Sequence, residues 1–265
     1  MKNGGISERI DTSFDAEPAG DYRSSRIGAS IVGNPCEAYL EFAIRGFPEQ
    51  PTKPRFKRVF RDGHRIEKMV IADLKKAGLW VSESDPITGK QHMWDAYGGF
   101  LVFYADGIIE GYGPEPMLLE IKSMNGDLWK TFRDRGVKVS HPKYFDQLQV
   151  GMGLSGYKSS VLVAYNKDTS EYWDEVVEFD VLRYHYLLQR AVNVLTGNAK
   201  KVAKDPTDWR CKACPKRGVC WENAPVEQDM RTCRHSKPMP TGWECEKGCV
   251  GVCMGWERFE PLPRE

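Results

Sequence analysis

Between Gly99 and Ser123 the chain reads GFLVFYADGIIEGYGPEPMLLEIKS, two apolar runs separated by a turn rich in Gly and Pro from Gly111 to Pro116. The pattern predicts a pair of strands, with one acid at Asp106 in the first and a Glu120-Ile121-Lys122 triplet near the end of the second. Side chains alternate along a strand, so Glu120 and Lys122 project to one side while Ile121 enters the core.

On either side of this pair the apolar spacing is helical. Ser24 to Arg45 predicts a capped start, a break at Gly33-Asn34-Pro35, and a helix carrying Cys36 in its first turn with Tyr39, Leu40 and Ala43 along one side. Gly46 to Pro54 is a proline-rich loop. Phe60, Ile66, Met69, Val70 and Leu74 then recur at helical intervals over Phe60 to Ala77, with Gly78 as the stop. Leu79 to Glu83 is a short strand, Asp85 to Lys90 a turn, and Trp94 to Gly99 leads into the central pair. Asn125 to Pro142 is polar and is expected to be a mobile element. Lys143 to Leu154 is a helix placing Tyr144 and Gln147 one turn apart, Ser159 to Tyr165 and Tyr172 to Phe179 are strands, and Val181 to Leu195 is an amphipathic helix. This order predicts an α/β fold, a mixed sheet with helices against it.

Composition adds bounds. A chain of 265 residues, 41% hydrophobic, buries one substantial core with a small appendage. The formal net charge of +1 exerts no general pull on nucleic acid, so any such binding rests on local patches. The first 21 residues are polar and lack the apolar stretch of a signal peptide, and no apolar run approaches the roughly 18 residues of a membrane span. The expectation is a cytoplasmic protein with a flexible tail over residues 1–21, a core over 22–222 and a Cys/His-rich appendage over 223–265.

Asp106, Glu120 and Lys122 change the picture from fold to chemistry. A hard divalent cation needs convergent carboxylate oxygens, and a lysine beside it can orient a water or stabilise charge on a scissile phosphate. The other acid-x-Lys triplet, Asp73-Leu74-Lys75, lies in a helical pattern where positions i and i+2 diverge. Glu67, flanked by apolar Ile66 and Met69, is the candidate third ligand, with His64 as its competitor. Tyr144 and Gln147 can hydrogen-bond to a phosphate or to Lys122. A basic run of Lys53, Arg55, Lys57, Arg58, Arg61 and Arg65, interleaved with Phe56 and Phe60, and the pair Arg133 and Arg135 are candidate grips on a phosphate backbone.

Seven of the eight cysteines crowd the last quarter of the chain, a distribution that favours metal over disulfides in a cytoplasmic protein. Cys211-x2-Cys214-x5-Cys220 needs a fourth ligand, for which Cys36 is the candidate, and thiolates of this kind suit zinc or an iron-sulfur cluster. The second set, Cys233, His235, Cys245, Cys249 and Cys253, offers five candidates for four positions. The expectation there is zinc on Cys233, His235, Cys245 and one of Cys249 or Cys253.

Gly63-x3-Glu67, Asp106, Glu120-x-Lys122, a Gln-bearing helix, an early lone cysteine and a late Cys-x2-Cys-x5-Cys together resemble the PD-(D/E)xK nucleases. More narrowly, they resemble the RecB-type exonucleases with an iron-sulfur clasp, among them the AddB nuclease domain and CRISPR-associated and phage-borne relatives. The resemblance spans about Ile27 to Cys220. It implies a restriction-endonuclease-like fold and a metal-dependent DNA exonuclease, with structure-specific endonuclease and non-catalytic adaptor as alternatives. Mg²⁺ or Mn²⁺ would sit on Glu67, Asp106, Glu120 and the backbone carbonyl of Ile121, and a [4Fe-4S] cluster on Cys36, Cys211, Cys214 and Cys220. Two positions depart from the family: Glu67 stands where His is usual, and Gly151 stands where a Gln-x3-Tyr motif has Tyr. No G-x4-G-K-[ST] motif supplies a motor, so processive action on duplex DNA implies a helicase, a single-strand-annealing or recombinase partner, or a ring-shaped oligomer.

Overall fold

The computed structural model describes residues 5–17, 26–240, 242–249 and 253–263. Helix α1 (Ile6–Asp15) is followed by a two-residue strand β1 (Ile27–Gly28), one helical turn α2 (Ala29–Val32) and helix α3 (Glu37–Ile44). The break between the last two is closed by the Asn34 side chain, whose Oδ1 accepts from Cys36 N at 3.0 Å, so Cys36 is the N-cap of α3. Helix α4 (Pro54–Lys76) opens on a proline, which needs no N–H partner there, and stops before Gly78 at φ +88°. It starts six residues earlier than expected, and its first turns carry Phe56, Val59 and Phe60 at i, i+3 and i+4 although all three are exposed.

Strands β2 (Trp80–Ser82), β3 (Met93–Ala96), β4 (Leu101–Tyr104), β5 (Gly107–Glu110) and β6 (Met117–Met124) follow. After them come helices α5 (Gly126–Arg135), α6 (Val137–Ser140) and α7 (Pro142–Ser155), strands β7 (Ser159–Asn166) and β8 (Tyr172–Glu178), and helix α8 (Val181–Leu195). The last quarter holds the short helices α9 (Trp209–Lys212) and α10 (Arg217–Trp221) and the hairpin β9 (Ser236–Met239) and β10 (Gly242–Cys245).

The main sheet has the order β2-β5-β6-β7-β8, antiparallel except for the parallel pair β6 and β7, and a smaller sheet has the order β1-β4-β3. The fold is therefore mixed α/β, with mixed sheets flanked by helices. Strand β6 lies at the centre, and its alternation feeds two cores. Leu118 and Met124 pack with Phe132, Leu148 and Leu187 on one face, while Leu119 and Ile121 pack with Val70 and Ile71 of α4 on the other. Both faces of this strand are covered, so its apolar residues run almost continuously.

Three expectations need correction. The first strand of the central pair is broken at Ala105-Asp106 into β4 and β5, which belong to different sheets. Asp106 Oδ2 accepts from the Ile121 amide at 2.7 Å, so a side chain takes the place of a ladder carbonyl at the break. Asn125 to Pro142 is helical, because Trp129, Phe132 and Val137 are buried and Asn125 Oδ1 caps Leu128 N at 2.9 Å. Finally, part of the expected flexible tail forms α1, which docks on α4: Asp11 pairs with Arg58 at 2.6 Å, and Lys57 Nζ donates to Phe14 O at 2.5 Å.

Gly151 explains one departure from the nuclease pattern. A Cβ there would stand 2.6 Å from the Phe103 ring, so the position four residues after Gln147 leaves no room for a side chain unless that ring moves. Among the described residues no helix is long and apolar enough to cross a membrane.

Candidate active site and cysteine cavities

Strand β6 presents Glu120 and Lys122 toward the N-terminal half of α7, and the break before β5 presents Asp106 beside them. Lys122 Nζ donates to Glu120 Oε1, and Gln147 Nε2 donates to the same oxygen at 2.8 Å. Glu120 is 1% exposed, and its other oxygen, Oε2, is buried with no hydrogen-bond partner among the described residues. An orphaned carboxylate oxygen is costly without a counter-ion. The ammonium of Lys122 lies 5.1 Å from the centre of the Tyr144 ring, which stacks on His141 at 5.3 Å. His141 was not expected from sequence. The only signal it carries is its place just before Pro142, where it caps α7.

Electrostatics tie Glu67 into this group. Burial lifts its carboxyl above the usual range and the Glu120 carboxylate adds to the rise, against His64 and Lys122. Asp106 is pushed up to about 6, first by burial and further by Glu67, with Lys122 and the Ile121 amide opposing. Glu120 is pushed up to about 7, again mainly by burial. Burial works against the charge of Lys122, but Glu120 and Asp106 outweigh it and hold the ammonium above the usual lysine range. Three acids thus share one lysine in a desolvated place, an excess of negative charge that a hard divalent cation would neutralise. His64 Nδ1 donates to Phe60 O at 2.8 Å. As they stand, no three His, Cys, Asp or Glu side chains among the described residues are drawn tightly enough around one point to hold an ion. Here the lysine lies among the carboxylates.

The basic run lies on α4, but α1 takes part of it. Besides the Asp11 and Phe14 contacts, the guanidinium groups of Arg58 and Arg61 lie 5.3 and 5.6 Å from the Phe14 ring centre. Arg61 also pairs with Asp62 at 2.9 Å. Arg133 lies 5.1 Å from the Trp129 ring centre and pairs with Asp134 at 3.1 Å, on the exposed side of α5. Arg55 and Arg65 are exposed on α4, and Arg135 ends α5.

Cys36, Cys211, Cys214 and Cys220 line one cavity of about 380 Å³. Burial lifts the Cys214 thiol, and it lifts that of Cys220 to about 12; in both cases the neighbouring cysteines of the set add to the rise. Thiolates there need a cationic partner that the protein's own side chains do not fully supply.

Of the second set, Cys233, Cys245, Cys249 and Cys253 line a second, much smaller cavity. His235 is not among its walls, contrary to the expected ligand set. Its Nε2 lies 2.9 Å from Glu257 Oε1, a partner four residues beyond the last cysteine. Arg45 fixes this segment to α3. Its guanidinium donates to the carbonyls of Arg231, Cys233 and Ser236 at 2.9, 3.1 and 3.1 Å, and it pairs with buried Glu41 at 3.1 Å.

No family model matches the chain, and no curated protein matches it. Among solved structures it is distantly similar to an alkaline exonuclease from Laribacter hongkongensis, with 18% identity, 71% of this chain and 91% of that chain covered, and a TM-score of 0.48. A second structure of that exonuclease, in complex with dAMP, matches at 18% identity over 66% of this chain and 88% of that chain, with a TM-score of 0.46. A phage-related exonuclease from Haemophilus somnus 129PT matches at 12% identity over 63% of this chain and 78% of that chain, with a TM-score of 0.43.

Proposed function

We propose that the protein is a metal-dependent deoxyribonuclease of the PD-(D/E)xK type, acting as an exonuclease on DNA ends. One observation carries this reading: Glu120 Oε2 is buried without a partner at the point where Asp106, Lys122 and Glu67 act on one another. Glu67, Asp106, Glu120 and the Ile121 carbonyl would hold Mg²⁺ or Mn²⁺. The bound ion would supply Lewis-acid polarisation of the phosphate and a water of lowered pKa.

The chain's own residues do the rest. Gln147 and Lys122 both hold Glu120 Oε1 and so aim Oε2 outward from the pair. Glu120 and Asp106 favour the charged form of Lys122, and its role is to stabilise negative charge developing on the phosphate. The face of Tyr144 beneath the ammonium limits where it can swing. Arg55, Lys57, Arg58, Arg61, Arg65, Arg133 and Arg135 grip the phosphate backbone, with electrostatic binding that weakens as salt rises.

Cys36, Cys211, Cys214 and Cys220 hold a [4Fe-4S] cluster that closes the nuclease core between its two ends. Each thiolate of a cluster binds a different iron, so four cysteines spread around a roomy cavity suit it. Anaerobically purified protein should contain iron and sulfide. Zinc alone at these four cysteines would replace the cluster with a zinc clasp.

End-labelled linear DNA and closed circular single strands, each with Mn²⁺ or EDTA, test the activity. An exonuclease degrades the linear substrate and spares the circle, and EDTA stops it. Cleavage of the circle makes it an endonuclease, and no cleavage of either leaves a DNA-binding adaptor.

A further inference from the structure

The appendage cannot hold itself together by packing. Among the described residues after 222, the only buried apolar ones are Cys233, Phe259 and Pro261, and Phe259 packs on Phe42 and Phe47 of the core. A segment of this size with so little apolar burial needs a staple.

Its four cysteines are placed to provide one. The β9/β10 register sets Cys245 opposite Ser236, three residues from Cys233, and a turn with Gly248 at φ +71° sends the chain back. Cys233, Cys245, Cys249 and Cys253 then line one small cavity, which they share with Trp256. Gly255 N donates to Cys253 Sγ at 3.3 Å.

Other donors nearby are committed elsewhere. Glu257 takes His235, and the Asp229 carboxylate accepts from Thr232 N at 3.0 Å and from Arg231 at 3.2 Å. Trp256 closes the cavity wall and is fixed by its Nε1 donation to Asp229 O and Thr232 Oγ1, each at 3.2 Å.

We infer that Zn²⁺ draws Cys233, Cys245, Cys249 and Cys253 from the walls of this cavity into one structural site of four thiolates, with His235 outside it. Four sulfurs suit tetrahedral Zn²⁺, and binding releases their protons. The site stands apart from the nuclease centre and does not depend on it.

Elemental analysis of the full-length protein should find zinc whose amount is unchanged in His235→Ala and lost in Cys249→Ser and in Cys253→Ser, with iron content kept in all three. Loss of zinc in the histidine variant, or its retention in both cysteine variants, overturns the inference. A cysteine variant that misfolds would also lose metal, so the wild-type protein supplies the second measurement: mass-spectrometric mapping of cysteine alkylation before and after a zinc chelator. Cys233, Cys245, Cys249 and Cys253 should resist alkylation together and become reactive together as zinc leaves. Alkylation of any of them in the zinc-loaded protein, or disulfides among them, refutes the site.

Discussion

Gln147 and Glu120 meet at a single oxygen. The amide donates to Oε1, the atom that Lys122 also holds, and Oε2 is left buried with no partner among the described residues. Removing the amide should let the carboxylate turn. Gln147→Ala is expected to lower cleavage by about 10-fold to 100-fold at fixed Mn²⁺, the usual cost of losing a partner that orients a ligand. Much of that loss should be recovered at higher Mn²⁺ in a metal titration, whereas Lys122→Ala should lose about 100-fold or more with no recovery.

The raised carboxyls give the site a pH signature. Asp106 at about 6 and Glu120 at about 7 must lose their protons before they can hold a cation, so cleavage should rise with pH between roughly 5.5 and 7.5. More Mn²⁺ should shift that limb toward acid. Stability runs the other way: an acid whose pKa is raised by folding favours the folded state below its unfolded value and loses that contribution as pH rises through the folded value. The metal-free protein should therefore melt lower at pH 8 than at pH 5.5. Added Mn²⁺ should raise Tm more at pH 8, as read by calorimetry.

Glu41 offers a second titration, remote from the nuclease centre. Burial pushes its carboxyl to about 7 and holds Arg45 below the usual arginine range, so for this pair desolvation outweighs mutual attraction. By the same sign, the Glu41 contribution is fully present below its unfolded value and lost as pH rises toward 7, on the order of 3 kcal/mol in all. Glu41→Gln, followed by urea unfolding between pH 5 and pH 8, should give a flatter stability profile than the parent.

Helix α1 occupies part of the basic run that the proposed reading assigns to DNA. Deleting residues 1–17 frees Lys57 and Arg58 from Phe14 and Asp11. The shortened protein should bind DNA more tightly at low salt, and its log affinity against log salt should steepen by roughly one for each cation that reaches a phosphate. Fluorescence anisotropy with a labelled oligonucleotide reads both.

At Gly151 the ring of Phe103 lies where a side chain would begin. Gly151→Ala should cost about 1 to 3 kcal/mol of stability, the usual range for overpacking, although alanine is the better helix former. Gly78→Ala tests a different mechanism. Nothing lies near its missing Cβ, and any loss there reports only the left-handed backbone.

The sheet and the charged centre were legible because both are local in sequence. Glu120 and Lys122 share a face by strand alternation, and Tyr144 and Gln147 share one by helical turn. Asp106 was legible as an acid near the pair, but not as the residue that breaks the strand, because the partner that makes the break tolerable is an amide fifteen residues away. The polar segment after Asn125 misled because its three buried apolar residues, Trp129, Phe132 and Val137, are spaced too sparsely to signal a helix face. Cysteine spacing pointed to two groups of thiols. It could not show the contact of His235 with Glu257, since that depends on how the chain runs after Cys253.

The reach of Arg45 has a consequence for biosynthesis. Its carbonyl acceptors lie 186, 188 and 191 residues further along the polypeptide, so as the ribosome releases the first helices the guanidinium has Glu41 but none of these carbonyls to bind. The early half must wait, only partly settled, until translation is nearly complete, and contacts of such span make for slow maturation. A ribosome stalled anywhere before residue 231 would leave that cation without its three carbonyls and without the rings of Trp243 and Phe259, and such fragments should be prime substrates for chaperones and proteases.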